Sequence, residues 1–245
     1  MNIVNCIWEK INLGEDACEV SVDVNESFNE QAFAELDNKY TYQVVKVPAG
    51  NVAFSLDIQK YGFQLIETQL NWMTRMKDFN YNHSLLERFN TILSFEDITT
   101  EKELECLIDS IDDNMFSTDR VACDPYYGFS IGRKRYVNWI KSAFANHTST
   151  IAYICIEGIK VGFIMFRNNK NRVNGELGGI FKKYQDLGFG ILTSSSIPLY
   201  VLSHKMSIKM YETATSSNNP SNTKIYSTLG FQIKSMHYVF VKHLV

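Results

Sequence analysis

The sequence predicts an α/β fold in which a larger C-terminal unit follows a smaller one, and three observations carry that prediction. An apolar, glycine-rich run, Glu176–Phe181, leads into Gln185-Asp-Leu-Gly-Phe-Gly190, and apolar positions then recur at Ile191, Leu192, Leu199, Tyr200 and Leu202. This order reads as strand, tight turn and helix. A β-prone run, Met210–Thr215, is followed by a polar break, a short helix stopped by Gly230, and a closing strand over Phe231–Val241. The corner Leu229-Gly-Phe-Gln-Ile is echoed near the start of the chain by Tyr61-Gly-Phe-Gln-Leu. That echo makes the first part of the chain a candidate truncated copy of the last. The alternative is chance recurrence of a common helix–Gly–Phe–strand corner.

Taken in order, Tyr42–Val47 is β-prone and Pro48-Ala-Gly50 is its turn. Asn51 can cap a helix running to about Tyr61, although Val52, Phe54, Leu56 and Ile58 fit strand spacing as well. A strand follows the Gly62 stop. Met76–His83 is rich in turn formers and reads as a linker, so the expected domains are 1–82, a truncated unit, and 83–245, the larger unit. Thr91–Phe95 opens the second as a strand. Thr100-Glu-Lys-Glu103 is a capping box before a helix with Leu104, Leu107, Ile108 and Ile111 on one face. Asn114–Gly132 reads as a long irregular loop, either substrate-binding or a packed loop with a structural Arg120–Asp pair. A second helix is expected over Arg133–Phe144, then a hairpin of Thr150–Ile156 and Lys160–Phe166 across Glu157-Gly158.

Composition narrows the function classes. With 24 basic and 27 acidic residues and a formal charge of −3, the chain has no polyelectrolyte character, and nucleic acid is not an expected partner. The five cysteines are scattered without a Cys-x-x-Cys pair, which points to reduced thiols and away from a disulfide framework or a zinc site. No secretory leader is evident at the N-terminus, and no apolar run approaches the roughly 20 residues of a membrane span. The expectation is a soluble, cytoplasmic protein with no membrane partner and no metal; the oligomeric state is open, a homodimer being compatible with the sequence.

Chemistry concentrates at two motifs. Glycines at 188 and 190 ahead of a helix would let a pyrophosphate approach backbone amides at the positive end of the helix dipole. Neither the Gly-Lys-Ser/Thr of a P-loop nor the three glycines of the dinucleotide fingerprint is present. Downstream, Asn219 is followed seven residues later by Tyr226 and eleven later by Gly230-Phe231. Together, Gln-x-x-Gly-x-Gly and this closing pattern resemble the two signatures of the GNAT N-acetyltransferase superfamily. The resemblance implies the GNAT acyltransferase fold, with a mixed central sheet and flanking helices, and acetyl-CoA as cosubstrate. Carried onto this chain, it places the cofactor against Ile180, Phe181, Gln185, Asp186, Leu187, Gly188, Phe189, Gly190, Asn219 and Asn222. Pro198 lies in the helix after the loop, where it removes a hydrogen bond, so that helix is expected to bend or to start late.

With the N-terminal half included, Lys46-Val-Pro-Ala49, Tyr61–Ile66, Ser117–Arg120, Asp124-Pro-Tyr126 and Arg135–Trp139 are similar to the bacterial acetyltransferases of dTDP-4-amino-4,6-dideoxygalactose (dTDP-fucosamine), which serve surface-polysaccharide synthesis. That resemblance implies a nucleotide-linked aminosugar as acceptor, with Asp119, Arg120 and Tyr126 binding it. A peptide or another small amine, or a silent CoA-binding module, are the alternatives. Amine attack on a thioester needs a stabilised oxyanion and a proton for the departing thiolate. A phenol with pKa of about 10 can protonate a thiolate whose acid has pKa of about 8.5, which suits Tyr226 as the acid. A backbone amide near Ile180 would hold the oxyanion. Glu176 is the candidate base, or else a solvated strand end.

Overall fold

The computed structural model describes residues 1–244. In chain order its strands and α-helices are β1 (Asn2–Asn5), α1 (Ile7–Leu13), β2 (Ala17–Ser21), α2 (Glu30–Asp37), β3 (Tyr42–Pro48), α3 (Val52–Lys60) and β4 (Gln64–Arg75), followed by α4 (Ser84–Glu87), β5 (Leu93–Asp97), α5 (Glu101–Ser110), α6 (Arg120–Cys123), α7 (Phe129–Ala145), β6 (Thr150–Ile156), β7 (Ile159–Asn169), β8 (Arg172–Ile180), α8 (Leu192–Ser203), β9 (Met210–Ser216), α9 (Pro220–Thr228) and β10 (Gln232–His243). No helix among the described residues is long and apolar enough to cross a membrane.

Local chemistry explains most boundaries. The Thr100 hydroxyl accepts from the Glu103 amide while the Glu103 carboxylate reaches back, closing the capping box at α5. Burial of Phe54 and Ile58, one turn apart, resolves the ambiguous run after Asn51 as helix α3. Glu157 and Gly158 both take positive φ, the requirement of a two-residue turn matched to strand twist, and join β6 to β7. Helix α7 starts at Phe129, four residues before the expected Arg133, and the stretch ahead of it is not one irregular loop: it contains α6, against which Gly132 packs closely, its missing Cβ leaving room for Ala122. The expected linker is packed too: Met76 and Phe79 are buried in the main core, and apolar anchoring there outweighs the polar residues that surround them.

Among the described residues all strands join one ten-stranded sheet, in the order β1-β2-β3-β10-β4-β9-β8-β7-β6-β5. Neighbours are antiparallel except β2 with β3 and β8 with β9, each parallel pair being bridged by a helix. Helices α5 and α7 cover one face of β6–β8, and α8 and α9 cover the other; α2 and α3 pack on β2 and β3. The chain runs twice through the same path. Both β2-α2-β3-α3-β4 and β8-α8-β9-α9-β10 go from a parallel pair through a short helix and a Gly-Phe corner to a long antiparallel strand. Asn51 and Asn219 each cap the short helix by accepting an amide three residues on, and Gly62 and Gly230 each take positive φ at the corner. Counting from the cap, Ile58 stands where Tyr226 does in the second pass.

The last strands are exchanged. Strand β10 lies between β3 and β4, and β4 lies between β10 and β9, so each pass completes its sheet with the other's closing strand. Trp72 of β4 is buried, stacks on Tyr226 at a ring separation of 5.6 Å, and donates its indole N–H to Thr215 Oγ1. Helix α1 adds a second tie: the buried Glu9 carboxylate accepts from Arg120 at 3.2 Å and from Arg135 at 2.6 Å. Removing residues 1–82 would strip β9 of one neighbour, β4, and β10 of both of its neighbours, β3 and β4. Residues 83–245 expressed alone should therefore be insoluble or lack a cooperative unfolding transition by circular dichroism, whereas the full chain unfolds cooperatively; a folded fragment would contradict the exchange.

Candidate functional site

The parallel pair β8–β9 holds for three registered pairs only, from Arg172 with Met210 to Asn174 with Glu212, and then the strands separate. The equivalent pair β2–β3 stays closed over five. Two features sit at the fork. Gly175 has no side chain, and a Cβ there would lie 2.6 Å from the Tyr211 hydroxyl and 3.1 Å from Ile197 Cδ1, so those two side chains occupy the floor of the gap. Glu176 is the extra residue of a bulge, since Met165 pairs with Leu177 but Phe166 with Gly175. The Thr213 hydroxyl donates to the Gly175 carbonyl where the ladder would have continued.

The gap opens into a cleft of about 240 Å3 walled by both strands, the starts of α8 and α9, the first half of β4 and the segment between α5 and α6. Backbone direction follows from the pairing. The Phe181 amide donates to the Val161 carbonyl of β7, so by alternation the amides of Ile180 and Gly178 point the other way, into the gap. The Ile180 and Phe181 side chains are buried in the two cores. Only their backbone can serve a ligand, and at Phe181 the amide is already engaged.

After β8 the chain does not turn tightly. It winds through two 3-10 segments, Lys182–Leu187 and Phe189–Ile191, hinged at Gly188 with φ +75°, before α8 begins. Gln185 donates its side-chain amide to the Ile180 carbonyl, bracing the loop on the strand. Asp186 and Leu187 are exposed, and Phe189 packs edge-on to Phe89. Gly190 takes an ordinary φ and a Cβ there would meet nothing within 4 Å, so open space lies over this glycine. The Thr193 hydroxyl, 2.7 Å from the Gly190 carbonyl and 3.0 Å from Asn222 Oδ1, ties the loop to α9. Pro198 sits inside α8 and leaves the Ser194 carbonyl without its helical donor. Arg88, which sequence reading did not single out, hydrogen-bonds the Gly188 carbonyl and lies over the Phe89 ring.

Tyr226 is brought to the base of the cleft, 4% exposed, its hydroxyl 3.5 Å from that of Tyr211. Burial pushes its pKa up, so the phenol stays protonated. Asn219 and Asn222 line the same cavity, Asn219 using its side-chain oxygen to cap α9. Glu176 also lines it, but its carboxylate pairs with Arg167 at 2.9 Å and accepts from Ser149. Of the three acceptor-binding candidates only Asp119 reaches the wall, where it accepts from the Tyr136 hydroxyl at 2.6 Å and caps α6. Arg120 is turned away and bound to Glu9, and Tyr126 lies elsewhere, exposed and stacked on His243. Glu67 and Gln69, delivered by β4, complete the cavity; they escaped sequence reading because nothing local marks a strand that crosses to the other unit.

No family model and no curated protein matches the sequence. Solved structures do. The chain is similar to a conserved protein of unknown function from Staphylococcus epidermidis (TM-score 0.58, 12% identity, 94% of this chain and 84% of that one). It is similar to a GCN5-related N-acetyltransferase from Kribbella flavida (TM-score 0.53, 11% identity, 92% and 80%) and to a tandem GNAT protein from the clavulanic acid biosynthesis pathway (0.52, 13%, 87% and 67%). The fold is that of the GCN5-related N-acetyltransferases. Within the GNAT fold of this chain, the open second pass and the closed first pass are distinguished by the fork at Gly175. Gly175→Ala should lower stability by about 1–3 kcal/mol in chemical denaturation, since the new methyl displaces Tyr211 or Ile197. Wild-type stability would show that the fork has slack.

Proposed function

We propose that the protein is an acyl-CoA-dependent N-acyltransferase, acetyl-CoA being the donor, and that the cleft between β8 and β9 holds the thioester. The observation that carries this reading is the fork itself: a parallel pair that stops at Asn174, with unpaired amides at Gly178 and Ile180 beside a buried, protonated phenol. Unpaired strand amides cost about 1–3 kcal/mol each when nothing accepts from them, so a fork kept open invites a ligand with acceptor atoms along its length. The arm of CoA supplies amide carbonyls for that edge, and its pyrophosphate suits the open space over Gly190 at the start of α8, with the Arg88 guanidinium nearby.

In this reading the amides of Gly178 and Ile180 face the carbonyl oxygen as it gains charge, and Tyr226 gives its proton to the departing sulfur. The acceptor enters from the side of Glu67, Asp119 and Gln69. Among the described residues no Lys, Arg or His lines the cavity, and Arg120 and Arg135 are held by Glu9, which favours an acceptor whose reacting end is a cationic amine. A dTDP-linked aminosugar, the acceptor expected from the sequence, would reach the site only with its diphosphate held outside this cavity. We further propose that residues 1–82 act as a truncated unit that binds no CoA of its own, its parallel pair being closed and its counterpart of Tyr226 being Ile58.

Saturating CoA, at about 100 times its Kd, should add about 2.7 kcal/mol to the folded state, read as a rise in melting temperature. Gly190→Val should keep the unliganded melting temperature, because the site is open, and lose the rise. A rise retained in the variant would remove the pyrophosphate from Gly190, and no rise in wild type would remove CoA altogether.

Tyr226→Phe should lower kcat by about 100- to 10,000-fold with little change in the KM for acetyl-CoA, because the hydroxyl acts only as the thiolate leaves. The ring, stacked on Trp72, remains in place. A kcat within about threefold of wild type would take Tyr226 out of the chemistry.

A further inference from the structure

Three carboxylates line the cleft: Glu67, Asp119 and Glu176. Two are committed, Glu176 to Arg167 and Ser149, and Asp119 to Tyr136, the Val121 amide and, at 3.8 Å, Arg135. Glu67 makes no ion pair among the described residues. The charges behind it sum to zero, since Glu9 and Asp119 offset Arg120 and Arg135. An ionised Glu67 is therefore the one uncompensated charge in the cavity.

Its setting is built. Glu67 is half-buried beside the bulge where β4 passes β10, the pairing jumping from Leu65–Phe240 to Glu67–Val239 across Ile66. On the same strand and side, Gln69 also lines the cavity, while the intervening side chains face elsewhere. The groups around it are Lys46 of β3, which pairs with Glu19, Ser216 of β9, Asp119 and Arg120 at the start of α6, and Cys123 at its end; His237 of β10 lies opposite Gln69. Burial raises the Glu67 pKa above the ordinary carboxylate value, with the Ser216 hydroxyl and Arg120 opposing.

We propose that Glu67, carried on the exchanged strand β4, binds the ammonium group of the acceptor and accepts its proton, so that the first pass of the chain supplies the base and the second supplies the acid. This rests on the acyltransferase reading above. The acceptor R–NH3+ gives one proton to the Glu67 carboxylate and becomes R–NH2. The nitrogen lone pair forms the N–C bond to the thioester carbon, the C–S bond breaks, and the electron pair leaves on sulfur, which takes the Tyr226 proton. The second proton shed by nitrogen restores Tyr226, and Glu67 returns the first to solvent, so the products are the amide, CoA-SH and one proton. A half-buried carboxylate without an ion pair is costly to the fold and useful to a base, because a raised pKa lets it take and release a proton nearer to working pH.

The test uses the full chain and the variants Glu67→Gln and Glu67→Asp, with two readouts. The first is the melting temperature of unliganded protein from pH 5 to pH 8. A carboxyl group whose folded-state pKa is raised contributes stability at low pH that is lost as the pH climbs through that pKa, so E67Q should gain on wild type as the pH rises. An E67Q protein less stable than wild type at pH 8 would make Glu67 a structural carboxylate and overturn the proposal. The second is acetyl transfer to a panel of polyamines, aminosugars and amino-acid amides from pH 6 to pH 10. E67Q should lose at least about 100-fold in kcat/KM at pH 7, the loss should shrink at pH 10 where the amine arrives uncharged, and E67D should recover part of it. Wild-type kcat/KM with an unchanged acidic limb in E67Q would overturn the proposal while leaving the acyltransferase reading intact. That reading fails separately, if CoA produces no thermal shift in wild type.

Discussion

A parallel pair of strands that cannot close is the constraint on which this structure depends. Strands β8 and β9 are held together at one end by three registered pairs and forced apart beyond Asn174 by what lies beneath: the Tyr211 hydroxyl and Ile197 occupy the volume over Gly175, and the Glu176 bulge turns the strand. A bulge re-aims side chains and ends pairing at a known place. The unpaired amides of Gly178 and Ile180, the cavity, and the approach of α9 with Tyr226 all follow from that separation. In the first pass of the chain the parallel pair stays registered over five positions.

The second constraint is that neither pass can finish its own sheet. Strand β4 sits against β9 and β10 sits against β3, so the ladder joining β4 and β10 lies at the centre of the molecule. Burying that ladder protects four strand edges that would otherwise be open to pairing with other chains. It also makes the cavity composite: Tyr226 is clamped by Trp72, and one wall carries Glu67 and Gln69. The first pass of the chain, with Ile58 in the place of Tyr226 and a closed parallel pair, is the source of one wall of the cavity.

What was legible in the sequence was local. The capping box at Thr100, the two-residue turn at Glu157-Gly158 and the Asn219–Tyr226–Gly230 spacing are encoded by residues within a dozen positions of each other, and the fold places them as expected, whereas the glycine loop winds through two 3-10 segments in place of a tight turn. The echo of Gly-Phe-Gln gave the second pass of the topology, because a cap, a corner and a strand recur at the same spacing. The failures share a cause. The Met76–His83 stretch looked polar, yet its two apolar side chains decide its place. Arg120 looked available, yet its partner is Glu9, 111 residues away. Glu67 is unremarkable in its own strand, and only the exchange brings it to Tyr226's cavity. Contacts at that separation are set by topology, which no local pattern states.

The central claim is that the fork between β8 and β9 receives the CoA arm. Hydrogen–deuterium exchange of the full chain with and without CoA addresses it directly, because the amides in question have no partner on the open side among the described residues. Slowed exchange at Gly178 and Ile180 and through Gly188–Leu192, with the closed pair β2–β3 unchanged, is the expected result. CoA-dependent protection located elsewhere, or none at these amides under saturation, would contradict the account.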